Sequence, residues 1–145
     1  MDKAFEKALD MVRKEFLGCI PRVLSFLRAR DELNRKIGER FMHHPSGHVI
    51  WLDRYLDWKA GLAAGSWNHI YFVGFCTDGV NFSLTCTPKC PKRKRFPGDW
   101  RGLENEELEE ISGISGLLFI HEGGCKANAR NKEALMRLVE NVLQG

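Results

Sequence analysis

A chain of 145 residues, 43% hydrophobic and 28% charged, is long enough for one domain with a real core and too apolar to be disordered. Its net charge of +3 at pH 7 is too small to mark a nucleic-acid-binding protein by its sum, so the placing of the cations matters more. No apolar run approaches the roughly 20 residues of a membrane helix, and the charged, amphipathic opening "MDKAFEKALD" does not read as a signal peptide.

In chain order, Phe5, Leu9, Val12 and Phe16 are spaced by four, three and four and define one face of a first helix. Gly18 and Pro21 predict its end. A second helix is expected with Val23, Leu27, Leu33, Ile37 and Phe41 on or near one side and charge on the other, from Arg28 to Arg40. "HHPSGH" predicts a turn, "HVIWLD" a strand, and "DWKAGLAAG" a short helical turn or loop. "HIYFVGFC" and "NFSLTCT" flank Asp78-Gly79, a strong hairpin signal.

A loop rich in Pro, Lys and Arg, "PKCPKRKRFPG", leads to a charged helix from Leu103 to Ile111. Asn105 is its expected N-cap, Glu106 and Glu107 suit its positive end, and Gly113 suits a left-handed exit. "GLLFIH" is apolar throughout and predicts a central strand. A last helix is expected from about Asn131, with Leu135, Leu138, Val139, Val142 and Leu143 inward. The order reads as a single α+β domain over residues 1–145. Its mixed sheet would have about four strands, one β-hairpin among them, covered by an N-terminal helix pair and a C-terminal helix.

The connection "HEGGCKANARNKEAL" is the first candidate for chemistry. A strand ends at His121, Gly123 and Gly124 follow, and a helix is expected to open. Strand, glycine turn and helix N-terminus together bind anions, because glycine lets a ligand approach backbone amides that point outward. Lys126, Arg130 and Lys132 add charge, although no GxxxxGK[ST] motif is present. The alternative is a tight turn that needs glycine for its own geometry. Lys92, Arg93, Lys94 and Arg95 form a second candidate, for contact with a phosphate backbone. The alternative there is a solvated loop, or a counterpart to the acidic run Glu104 to Glu110.

His43, His44 and His48 surround the Pro-Ser-Gly turn, as metal ligands or, more commonly, as parts of an exposed turn. His121 suits a phosphate hydrogen bond or general acid/base work, or the satisfaction of a core carbonyl. The five scattered cysteines read as mostly free thiols in an intracellular setting, cytoplasmic ahead of nuclear or mitochondrial. Cys86 and Cys90 are the close pair, and a zinc site would need Cys76, Cys125 or His121 to join them. Asp53 and Asp57 straddle a strand end without nearby histidines, and no Ser/His/Asp order stands out. The residues alone lead to an α+β domain with a candidate anion site.

Trp100-Arg101-Gly102-Leu103, Leu108, Ser112-Gly113-Ile114 and Phe119-Ile120-His121 resemble the C-terminal half of the melanocyte-proliferating-gene family. These are DHH-type phosphoesterase-like proteins implicated as 3′–5′ RNA exonucleases. Trp58-Lys59 and Leu62 match an earlier element, and Gly123 and Ala134-Leu135 match the glycine turn and final helix. The pattern departs at His121-Glu122-Gly123-Gly124-Cys125, where the family has His-x-Ser-Gly-Phe.

The resemblance implies a substrate-binding half whose catalytic half, with its metal-binding aspartates and histidines, would precede Met1. No catalytic residue, metal ligand or cofactor is then expected in this chain, and a divalent ion such as manganese belongs to the other half. The implied function is binding of nucleic-acid (RNA) or nucleotide phosphate through the amides after Gly123-Gly124, with Arg101, His121 and Lys126 as partners. Lys92 to Arg95 would attract at longer range. Trp100 would pack beneath the corner and Gly102 would bend the chain, unless Arg101 pairs with Glu106 or Glu107 instead. The rival is an interaction module that docks on a separate catalytic subunit or on another copy through the helix pair Lys3 to Phe41. A weaker reading is a complete enzyme built on His121, Glu122 and Cys125. Whether the chain is an enzyme by itself is left open.

Overall fold

The structure, a computed structural model, describes residues 2–54, 58–59 and 68–144. Its first element, α1, is one helix over Lys3–Gly38, started by Asp2, whose carboxylate accepts from the Ala4 amide at 3.1 Å. The expected break at Gly18 and Pro21 does not occur, and Pro21 lies inside the helix. Proline there forgoes a helical hydrogen bond at a cost of about 3 kcal/mol. Helix on both sides carries it, and the apolar spacing runs in phase across the break through Phe16, Cys19, Val23 and Phe26. The apolar face is exposed from Phe5 to Leu27, and Phe41 is exposed too. Within α1 only Leu33, Lys36 and Ile37 are buried, because a helix of this length, about 54 Å, outruns the sheet it leans on.

A short helix, α2 (Arg40–His43), and the turn at Gly47 (φ 72°) lead into β1 (Val49–Leu52). Strands β2 (Phe72–Cys76) and β3 (Phe82–Cys86) form the expected hairpin. In its turn the Asp78 carboxylate accepts from the amides of Val80 and Asn81 at 2.9 and 2.6 Å. Of "DWKAGLAAG", Trp58 and Lys59 are helical, and residues 57 and 60–65 lie outside the described residues. Helix α3 (Asn105–Ser112) ends as expected at Gly113 (φ 69°). Its N-cap is Glu104 rather than Asn105. Glu104 is held extended by a bridge to Phe119, which leaves Asn105 to turn the chain with φ 50°; asparagine tolerates that region better than most residues.

Strand β4 (Leu117–Ile120) is followed by an unexpected fifth strand, β5 (Lys126–Ala129), and then by α4 (Lys132–Gln144). Asn131 starts α4 by accepting from the Ala134 amide at 2.8 Å. The sheet order is β1-β2-β3-β5-β4, parallel between β1 and β2 and antiparallel elsewhere. This bears out an α+β fold with a mixed sheet, with five strands rather than about four. The apolar strand β4 lies at the edge, not the centre. Its outer edge is covered locally: the Gly102 amide donates to Ile120 O at 2.8 Å, and Glu104 bridges Phe119.

Two cores flank the sheet. The larger joins Phe72, Leu84, Phe96 and Ile120 to Leu135, Leu138 and Val139 of α4. The smaller joins Ile50, Val73 and Trp58 to Leu33 and Ile37 of α1. Close packing also dictates Gly74, since a Cβ there would fall inside the Trp51 ring.

Candidate functional site

The corner that carries the Trp-Arg-Gly-Leu motif is built from two loops. The segment Gly98–Trp100 makes one 3-10 turn, with Trp100 half-buried against the larger core. Gly102 (φ 79°) then swings the chain onto β4. Between them, the Arg101 Nε–H donates to Phe96 O at 3.0 Å. The second loop is the β4–β5 turn, His121 to Cys125. The Phe96 amide donates to Gly124 O at 3.0 Å, which laces the loops together. Gly124 (φ 71°) has no room for a side chain, because the Arg101 guanidinium occupies the place a Cβ would take. The stem of Glu122 leans over Gly102.

This arrangement corrects the expected anion site in two ways. The glycine pair joins two strands, not a strand and a helix, because residues 126–129 pair with β3. Its amides are also occupied: Gly124 N–H donates to His121 O at 2.9 Å, and Gly123 N–H to His121 Nδ1 at 3.0 Å. The turn therefore satisfies itself. His121 is exposed rather than a core histidine, and its ring meets Phe119 edge-on at 6.2 Å.

Arg101, His121, Gly123 and Gly124 nonetheless share one corner, with Lys126 exposed at the start of β5. Among the described residues, no ion pair joins Arg101 to Glu106, Glu107 or any other carboxylate. The basic run divides. Lys92 and Arg93 are exposed, Lys94 Nζ donates to Leu143 O at 3.0 Å, and Arg95 is half-buried with its Nε sealed from solvent.

The other candidates are held by the fold. His43 Nδ1 accepts from the Trp51 amide at 3.1 Å, and burial holds its pKa below the ordinary value. His44 is buried against Ser46 Oγ at 2.7 Å and is lowered for the same reason. His48 donates to His69 O at 2.7 Å and stacks on Tyr71. The expected exposed histidine turn is thus partly a buried, hydrogen-bonded one. Asp53 pairs with Lys36 at 3.0 Å, and that hydrogen bond holds its carboxyl below the usual range.

Cys86, Cys90 and Cys125 come together, which spacing did not reveal. The Cys86 amide donates to Cys125 O at 2.7 Å. The adjacent Cys90 thiol, and then burial, push the Cys86 thiol up, while Cys86 and Arg95 bring Cys90 down; the Cys86 thiol itself donates to Gly124 O at 3.8 Å. Cys76 is at the other end of the sheet: it pairs with Phe82, whereas Cys86 pairs with Phe72. Among the described residues, no group of three or more His, Cys, Asp or Glu is arranged to hold a metal ion. No described helix is long and apolar enough to cross a membrane.

Residues 1–143 match the family model MYG1_exonuc, described as "Uncharacterised protein family (UPF0160)". The human MYG1 exonuclease is 28% identical over 98% of this chain, and the Bos taurus MYG1 exonuclease is 31% identical over 98%. The Dictyostelium discoideum MYG1 protein is 29% identical over 99%. The chain spans only 41%, 40% and 47% of those relatives' lengths. No solved structure matches it significantly. The resemblance carried by Trp100-Arg101-Gly102-Leu103 is borne out, and the chain belongs to the MYG1 exonuclease family.

Proposed function

We propose that this chain is the substrate-side module of a nuclease-related protein and holds the phosphates of RNA or a nucleotide without cutting them. The observation that carries this reading is the fixed Arg101 guanidinium. It rests on Gly124 and is tied through Nε to Phe96 O. A guanidinium anchored through Nε keeps its two terminal nitrogens as a planar fork, the geometry that suits a phosphate. The grip is therefore assigned to side chains, since the glycine amides are already bonded. His121 and Lys126 are its exposed neighbours on the turn, and Lys92 and Arg93 supply longer-range attraction. Phosphoester cleavage assisted by metal needs a ligand set to hold the ion. No step of that kind is assigned to the residues described here, and a divalent ion such as manganese is assigned to the remainder of the family's length.

Titration of the chain with short single-stranded RNA at two salt concentrations tests this. Binding should weaken as salt rises, and Arg101→Gln should weaken it further without altering the fold. Salt-independent binding, or an unchanged Arg101→Gln titration, overturns the reading. Manganese-dependent cutting by the purified chain overturns its non-catalytic part.

A second reading, as an interaction module that engages another subunit or another copy, is favoured by the exposed apolar face of α1.

A further inference from the structure

The exposed apolar residues of α1 follow a strict repeat. Phe5, Leu9, Val12, Phe16, Cys19, Val23 and Phe26 alternate in spacings of four and three, and the series continues through Arg30 to Leu33 and Ile37. That is the seam of a coiled coil, and Gly18 and Pro21 both lie off it. Leu33 and Ile37, at the C-terminal end, are buried in the smaller core. Farther back the seam is bare: Phe5 is 57% exposed, Val12 62%, Phe16 68% and Val23 54%.

We infer that a second copy of this chain covers the seam, with the two α1 helices antiparallel and centred between Leu17 and Gly18. The charges select this arrangement. Arg30 is the one charged residue in the repeat from Phe5 to Ile37. A parallel, in-register pair would set it against its own copy in one layer, which like charges oppose. The antiparallel pair sets Arg30 beside Phe5 of the second copy, a cation against an aromatic ring. The same register layers Leu9 with Phe26, Val12 with Val23, and Phe16 with Cys19, each twice by symmetry.

The seam's flanks agree. Glu15 and Arg22 occupy the same flank, seven residues apart. In this register Glu15 of each copy meets Arg22 of the other, giving two symmetric ion pairs. A shift by one repeat toward the N-terminus would instead oppose Glu15 to Glu15 and Arg13 to Arg13. The antiparallel arrangement also places the two sheets at opposite ends of the paired helices, clear of each other. The inference deepens the interaction reading and is independent of the phosphate reading.

Sedimentation equilibrium of the whole chain tests it. A dimer is expected, and Phe16→Glu should make it monomeric while circular dichroism stays unchanged, since Phe16 is exposed in the single copy and belongs to neither core. Glu15→Arg alone and Arg22→Glu alone should each weaken the dimer about tenfold, and the double swap should restore it. Residues seven apart on one helix do not touch, so rescue reports contact between copies. A chain that is monomeric at all concentrations overturns the inference. So does a dimer indifferent to Phe16→Glu, and a dimer not rescued by the double swap overturns the register. A monomer whose α1 is protected from hydrogen exchange only when the rest of a family member's chain is added as a separate polypeptide assigns the face to that partner instead. Phe16→Glu should keep RNA binding and Arg101→Gln should keep the dimer, so the two proposals fail separately.

Discussion

The guanidinium of Arg101 lies where a side chain at Gly124 would have to be, so each residue explains the other. The arginine finds its flat seat because the glycine has no Cβ. The glycine also sits at φ 71°, a conformation that other residues adopt at a cost.

Gly124→Ala should therefore strain the turn and push Arg101 off Phe96 O, at about 2 kcal/mol of stability. Gly123→Ala should cost less: its φ is not positive, and a Cβ would meet only His121 Nδ1 at 3.4 Å. Urea denaturation of both variants checks the order, and an equal loss would show that Arg101 is not seated on Gly124.

The basic run should separate into binding and structural cations. Arg93 is exposed, and its replacement by Gln should leave stability unchanged. If Arg93 contacts phosphate, the log–log salt slope for single-stranded RNA should shrink by about 0.7. Lys94→Met should behave differently, because its ammonium is bonded to Leu143 O at the end of α4. It should cost about 1 kcal/mol of stability. Chemical denaturation alongside RNA titrations at several salt concentrations distinguishes the two.

Stability should fall as the solution is acidified below neutral pH. His43 and His44 are held by burial below 6.5, their ordinary value, so the unfolded chain binds protons first. Their contribution is complete above 6.5, shrinks as pH drops through that value toward the folded-state pKa, and is flat below it. His43→Gln should reduce this dependence, since the folded form needs Nδ1 unprotonated to accept from Trp51 N–H. Urea midpoints at pH 7.5 and 5.0 test it, and a wild-type midpoint that does not move would contradict it.

Local chemistry made much of this protein legible in its residue order. Asp78-Gly79 specifies the hairpin, since amides two and three residues on donate its turn bonds to the one Asp78 side chain. Gly113 and the apolar spacing of α4 act within a few residues of themselves, as does the Trp-Arg-Gly-Leu stretch on which the family resemblance is read. The strand at residues 126–129 has no such local signature: Lys-Ala-Asn-Ala lacks β-branched and aromatic residues, and it is a strand because β3 and β4 leave a paired slot for it. That slot also turned the glycine pair into a hairpin bend, where His121 takes both amides. Periodicity announced an apolar face on α1 but not which way it points, since direction depends on how far the sheet reaches along the helix. The Asp78-Gly79 turn, the Gly113 exit and helical phase are set by neighbouring residues in the chain, and so the sequence by itself determined them. The partner of an amide, a thiol or an apolar face is set by segments distant in sequence, and only the tertiary structure decided those.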